Sequence, residues 1–352
     1  MRATAPEDDH LKLIGHWWPH SGGLLCIASI WKGENSQVML ALSLGGNSFC
    51  VVKVIEPHSS VGFADEHKTV LLVSEWDSDV GILSKWVHNS HRGAHVCVQQ
   101  SVLGPSTQDI LERWDLTWPL VREWIVDVGN SLINLHNSGH VHMDVRPENI
   151  VVRKPMDELK ATIDCVEKAI LKTPFQCAHQ GNRSRVAKKY YRNVIAPALA
   201  HRSVETECDL ANVGVALIDY GNSEKLCDLA LNKEAVAHHY VSPEMIEQGE
   251  VGTFTDWWCL GITVAEWLGE LLYSTEDQSA HLCEIVARGS AGWRGWVHEH
   301  VHRLEACEVD EIESTLETLM GLDYRHRSDG CRNLVSRLAT SSRLYHARCL
   351  ER

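Results

Sequence analysis

Short apolar runs punctuated by Gly, Asn and Ser fill the first hundred residues. Leu24–Ile30, Gln37–Leu42, Phe49–Ile55 and His95–Gln99 are rich in Val, Ile, Leu and Cys and have the length of β-strands. Between them, Glu75–Val87 is patterned as a helix. Beyond residue 100 the period changes. Leu116–Asn137 carries apolar residues at helical spacing, and Asp256–Glu270 is apolar all round, the mark of a buried helix. From Trp293 onward the chain is amphipathic, with Asp329-Gly330 expected as a turn. The pattern predicts an α+β protein: a small β-rich lobe followed by a large helical one.

The 352 residues are enough for such a two-part arrangement with a sizeable core. A formal charge of −14 argues against a general nucleic-acid binder, so no nucleic-acid partner is expected. Met1–His10 is polar and acidic with no apolar signal-peptide core, and no run reaches the roughly 18 apolar residues of a membrane span, so no membrane partner is expected either. The 12 cysteines are scattered singly from Cys26 to Cys349, never as C-x-x-C. That scatter suits reduced thiols in an intracellular setting, cytoplasmic or nuclear.

Candidate chemistry concentrates in His142-Met143-Asp144-Val145-Arg146-Pro147-Glu148-Asn149, placed after a helix and before a strand. Farther on come Val215–Lys225 with Asp219-Tyr220-Gly221, then Tyr240-Val241-Ser242-Pro243-Glu244, Asp256-Trp257-Trp258-Cys259-Leu260-Gly261 and Arg325-His326-Arg327-Ser328. Upstream, Cys50–Ile55 contains Lys53, and Val38 lies 15 residues before it. Together these resemble the eukaryotic-type protein kinase superfamily: its catalytic loop (five identities in eight positions), D-F-G, A-P-E, the D-x-W helix start and the V-A-I-K strand. The resemblance runs from about residue 24 to 340 and implies a divergent Ser/Thr kinase with the bilobal kinase fold. Val102-Leu103-Gly104-Pro105-Ser106 resembles the hinge of the casein kinase I and vaccinia-related kinase group.

The resemblance implies roles by position. Asp144 would accept the substrate hydroxyl proton, and Arg146 would supply the positive charge that lysine normally places near the transferring phosphate. Asn149 and Asp219 would hold Mg²⁺. Lys53 would orient the α- and β-phosphates of ATP, with Gly33 and Val38 in the phosphate loop and the backbone at Ser101–Leu103 against adenine. Asp79, or Glu75 one turn earlier, would pair with Lys53. Glu244 would pair with Arg327, and Asp256 would hold the catalytic-loop backbone. The implied layout is a tail at 1–10, the N-lobe and hinge at 11–104 and the C-lobe at 105–352, with a protein substrate.

Several positions depart from the family pattern. The Gly-rich loop becomes Trp31-Lys32-Gly33-Glu34-Asn35-Ser36-Gln37-Val38, where only Gly33 survives to let backbone approach phosphate. Met143 replaces an arginine that in the family commonly grips an activation-loop phosphate. From Asn149 to Asp219 is 70 residues, against about 15 in the family, so 157–212 is expected as an insertion. Its core, Asn182–Arg192, is a basic cluster. Ile163-Asp164-Cys165 lies at the usual distance but lacks the Gly. Two rival readings follow. One is a pseudokinase, a scaffold or regulator with little catalysis. The other is a metalloprotease, from the H-E-x-x-H spacing of His298-Glu299-His300-Val301-His302.

Overall fold

A computed structural model describes residues 13–19, 23–32, 36–44, 48–55, 80, 82–90, 93–155, 157–176, 183–200, 210, 213–228, 236, 238–269, 287, 293–301 and 306–350. The chain divides into two compact units. One comprises residues 1–64, 81–102 and 154–208, the other residues 65–80, 103–153 and 209–352. The first is built on a sheet and the second is mainly helical, the α+β layout expected from the pattern. Among the described residues no helix is long and apolar enough to cross a membrane.

The first unit holds an antiparallel sheet of β1 (Trp17–Trp18), β2 (Leu24–Lys32), β3 (Ser36–Ser43), β4 (Ser48–Ile55), β5 (Ile82–Ser90) and β6 (Gly93–Gln100), in the order β1-β2-β3-β4-β6-β5. Strand alternation sends Cys26, Met39, Ala41, Val52 and Val54 to one face, with Trp18, Trp86 and Cys97. It sends Leu25, Ile27, Leu40 and Leu42 to the other. Both faces are covered, which explains why Leu24–Ile27 is an unbroken apolar run.

The second cover is the long segment after residue 153. Its helices α3 (Asp157–Lys172), α4 (Arg183–Tyr190) and α5 (Ala196–Ala200), with a π-helical turn at Tyr191–Ile195, bury Val166, Ile170, Ala187, Tyr190 and Ile195 against β2 and β3. The Tyr191 hydroxyl donates to the Ile27 carbonyl at 3.4 Å, and the Tyr190 hydroxyl to the Thr173 carbonyl at 2.7 Å. The segment, expected within the stretch 105–352, is therefore part of the sheet-based unit.

In the second unit, α1 (Thr107–Leu111) starts at a Ser106/Asp109 capping box. The twenty-residue α2 (Trp118–Asn137) buries Val121, Ile125, Val128, Leu132 and Leu135 on one face. Then come β7 (His140–Val141), β8 (Ile150–Val152), β9 (Val215–Leu217) and β10 (Glu224–Lys225), paired as β8-β9 and β7-β10. The helices α6 (Pro243–Glu247), α7 (Thr253–Leu268), α8 (Trp293–His300), α9 (Ala306–Leu319) and α10 (Tyr324–Leu350) complete the unit. Helix α7 is buried from Thr255 to Leu268, as its sequence demands. Gly129 lets α2 and α10 meet closely: a Cβ there would lie 2.4 Å from Val335 Cγ2.

Three expectations are corrected. Ile82–Ser90 is a strand, so the helix expected over Glu75–Val87 does not extend through Ile82–Val87. Exposed Lys85 and Val87 flank buried Trp86, an alternation of two, and Trp86 pairs with Cys97. Asp329-Gly330 is no turn. It lies inside α10, where buried Cys331 donates to the Thr318 carbonyl and packing overrides the turn signal. Helix α8 stops at His300, so the H-E-x-x-H spacing does not lie on one continuous helix, and His302 is outside the described residues.

Candidate active site

Asp256, at the start of α7, has no exposed surface and fixes the loop before β8. Its Oδ2 accepts from the His142 amide at 2.8 Å and from His136 Nε2 at 2.8 Å, while Oδ1 accepts from the Met143 amide at 2.9 Å. Two successive amides can point at one carboxylate because Met143 adopts φ +70°, an unusual conformation for a non-glycine residue. The clamp over-determines that backbone and so offsets its strain. Asp256 thus has the scaffold position expected from the sequence.

His142 is wholly buried and ties the two halves of the site. Its Nδ1 accepts from the Asp144 amide at 3.3 Å and its Nε2 lies 3.2 Å from the Ile218 carbonyl. That pattern assigns the neutral tautomer with the proton on Nε2. Burial lowers its pKa, against the raising effects of Asp256, Asp144 and Asp219. The ring also packs edge-on against Tyr220, at 4.9 Å between centroids.

The chemistry-bearing side chains follow from this frame. Asn149 donates from Nδ2 to the Asp144 carbonyl at 2.9 Å and to Asp144 Oδ2 at 2.8 Å. Arg146 Nε sits 3.3 Å from Asp144 Oδ1 and 3.8 Å from Glu148 Oε2. Burial raises the Asp144 pKa, with Asp219 adding to the rise, while Arg146, His142 and Asn149 hold it down. Asp219 follows β9 in the left-handed region, φ +62°. The Ile218 amide donates to the Asn149 carbonyl at 2.8 Å, so β8 and β9 set Asn149 and Asp219 in register. Tyr220 is buried as an aromatic plug.

Helix α2 holds β9 in turn: Trp124 Nε1 donates to the Val213 carbonyl and the Val215 amide to Asp127 Oδ2, both at 2.9 Å. The alternative at Asp164 lies on α3 in the sheet-based unit, beside Ile163 in that unit's core.

Asp144, Arg146, Asn149 and Asp219 are thus assembled within one unit. Leu103 is half-buried there, and the neighbouring Gly104 amide donates to the Val152 carbonyl at 2.7 Å. Lys53, Val38 and Ser101 belong to the other unit, where Val38 is the cross-strand partner of Lys53. Gly33, Asp79 and Glu75 lie outside the described residues.

Glu244 and Arg327 form the expected pair, Oε1 to Nη1 at 2.6 Å and Oε2 to Nη2 at 3.2 Å, both side chains buried. The guanidinium also donates to the Gly321 and Phe254 carbonyls and stacks over Trp258. Sequence reasoning missed three contributors. The Asn222 side-chain amide lies 3.4 Å from Asp144 Oδ2, His136 supports Asp256, and the buried Tyr240 hydroxyl donates to Glu266 Oε2 at 2.6 Å. Asn222 adjoins Asp219-Tyr220-Gly221 and Tyr240 opens the Tyr240–Glu244 motif, and these adjacencies were the signals in the chain.

An oxygen donor set suits a hard divalent cation. Asn149 has its amide nitrogen committed to Asp144, which leaves Oδ1 as the free ligand atom, and Asp219 presents an exposed carboxylate nearby. The residues present therefore fit Mg²⁺.

Residues 199–342 match the family model described as protein kinase domain. The chain is similar to two curated proteins of Arabidopsis thaliana. Serine/threonine-protein kinase WAG2 is 25% identical over 218 residues, which is 60% of this chain and 40% of that protein. Serine/threonine-protein kinase WAG1 is 26% identical over 221 residues, again 60% and 40%. The match spans about 40% of the length of these curated relatives. Neither bears on the casein kinase I resemblance. With the loop His142–Asn149, the Asp-Tyr-Gly turn and the Glu244–Arg327 pair, these matches support a likeness of the chain to the eukaryotic-type protein kinase superfamily.

Proposed function

We propose that this chain is an active protein kinase that transfers the γ-phosphate of ATP to Ser or Thr hydroxyls of protein substrates, with Mg²⁺. The observation that carries the reading is Asp144. Its carboxylate is largely shielded and held by Asn149 and Arg146, within electrostatic reach of Asp219. Asp144 orients the substrate hydroxyl and takes its proton. Arg146 neutralises charge that develops beside it. Asn149 Oδ1 and the Asp219 carboxylate hold Mg²⁺, which when bound supplies charge neutralisation and alignment of the phosphates. Lys53 orients the α- and β-phosphates, and Val38, Ser101 and Leu103 contribute to the nucleotide site. The likeness to two serine/threonine-protein kinases, and Arg146-Pro147-Glu148-Asn149 in place of a K-P-E-N, support Ser/Thr as acceptor. The same reading carries an intracellular setting, cytoplasmic or nuclear, supported by eight free cysteines among the described residues.

One observation favours a pseudokinase instead. Trp31 stands where the family has the first loop glycine, is 54% exposed, and follows a register shift between Ser29 and Trp31 in β2. The experiment is Mg-ATP-dependent transfer to a mixed protein panel, with Asp144→Asn purified alongside. Transfer to Ser/Thr that vanishes in the variant is expected. No transfer in either protein, with no Mg-ATP shift in melting temperature, selects the pseudokinase reading, and phosphotyrosine alone overturns the acceptor assignment.

A further inference from the structure

The charge of this chain is segregated. From Lys168 to Val204 there are eight Lys or Arg and no Asp or Glu, so the remaining residues carry −22 against −14 for the whole. The structure shows why these cations are available. Helices α3 and α4 and the π-helical turn spend their apolar side, Val166, Ile170, Ala187, Tyr190 and Ile195, on the sheet. Lys168, Lys172, Arg185, Lys188, Lys189 and Arg192 are left exposed on the outer side. The hydrogen bond from Tyr190 to the Thr173 carbonyl fastens the end of α3 beside the basic stretch of α4, so the cations are displayed on a fixed framework. Leu171, 82% exposed, stands among them as an apolar anchor flanked by Lys168 and Lys172.

We propose that this outer face is a docking surface for an acidic peptide segment of a partner protein, a run of Asp and Glu with an aliphatic side chain for Leu171. Charge complementarity favours a short anionic segment over the extended polyanions. Charges lose their influence over about 8 Å at physiological salt, and a short peptide on the patch meets mainly cations, with exposed Glu167 one turn before Leu171. A nucleic acid or an anionic bilayer is disfavoured by the formal charge of −14 on the whole chain. Surface insertion into a bilayer also needs a free apolar helix face, and here that face is already packed on the sheet.

The test measures anisotropy of a short fluorescein-labelled Glu-rich peptide containing one Leu, its Glu→Gln counterpart, a single-stranded oligonucleotide, and phosphatidylserine vesicles. Wild type is compared with a Lys168→Glu, Lys172→Glu, Lys188→Glu, Lys189→Glu protein and with a milder Lys188→Gln, Lys189→Gln protein matched in melting temperature. The expected result is affinity for the Glu peptide about tenfold or more above that for the Gln peptide, weakened in both variants and by added salt. Equal affinity of wild type and both variants for the Glu peptide overturns the proposal. So does tighter binding of the oligonucleotide or the vesicles than of the peptide. None of these readouts depends on phosphoryl transfer.

Discussion

Replacing Asp256 tests whether the loop carrying Asp144 is held by one buried carboxylate. Asp256→Ala removes the acceptor for the His142 amide, the Met143 amide and His136 Nε2 together, in a site without solvent. Hydrogen bonds to a charged group contribute about 1.5–3 kcal/mol each, and buried donors left without partners cost about 1–3 kcal/mol each. Relaxation around the small Ala cavity recovers part of this, so the expected loss is roughly 4–6 kcal/mol, a large share of a typical domain's stability. Met143 adds to it, because φ +70° then has nothing to impose it. Asp256→Asn is the sharper probe: its shape is retained and its oxygen satisfies one amide, but its NH₂ faces another donor. The expected loss is about 2–3 kcal/mol, read as a shift in the urea midpoint. Phosphoryl transfer should fall by about 100-fold or more, because Asp144 and the loop to Asn149 lose their common support. An Asp256→Asn protein with wild-type midpoint and transfer rate would refute the clamp.

Breaking the Glu244–Arg327 pair should be costly. Arg327→Met, which strands a buried carboxylate, is expected to lose about 3–5 kcal/mol in urea unfolding, and a double Glu244→Leu, Arg327→Met protein much less. Glu266 gives a pH dependence. Burial pushes its pKa up to about 7, with Glu148 adding to the rise while Tyr240 and Arg146 oppose it. The folded carboxyl therefore binds its proton more tightly than the unfolded one, whose pKa is the ordinary 4.5. Its contribution is fully present below about 4.5 and is lost as pH rises through about 7, a change of about 3 kcal/mol that Glu266→Gln should abolish in unfolding curves across that range. Tyr190→Phe, which leaves ring packing intact and removes the hydroxyl bond to Thr173, should lower stability by about 1 kcal/mol in the same assay, with Mg-ATP affinity unchanged.

What the sequence disclosed tracks the range of the interactions involved. Strands β2, β3, β4 and β6 were legible because short apolar runs bounded by Gly, Asn and Ser are written locally, and α7 because a helix buried all round has no polar face to hide. The loop His142–Asn149 was legible because Asp144, Arg146 and Asn149 sit within eight residues at the spacing the proposed chemistry requires. Ile82–Val87 failed because a short apolar run fits both periods, and only the partner Cys97 decides for the strand. Asp329-Gly330 failed because a two-residue turn signal is weaker than the packing of Cys331 beside it. Asn222, His136 and the Tyr240–Glu266 pair join this region only through contacts between residues far apart in the chain, which no local pattern encodes. The long insertion shows the same logic at larger scale. Its length and basic core were visible, but its destination was not, since α3 and α4 carry apolar positions that any surface would satisfy. That destination was nevertheless implied from the other side. Leu24–Ile27 is apolar at four successive positions, so β2 must be covered on both faces, and the second cover has to come from somewhere in the chain. The segment that supplies it runs between the strands that place Asn149 and Asp219. Removing it would therefore expose Leu25, Ile27, Leu40 and Leu42 together, and the insertion is better understood as part of the fold than as an addition to it.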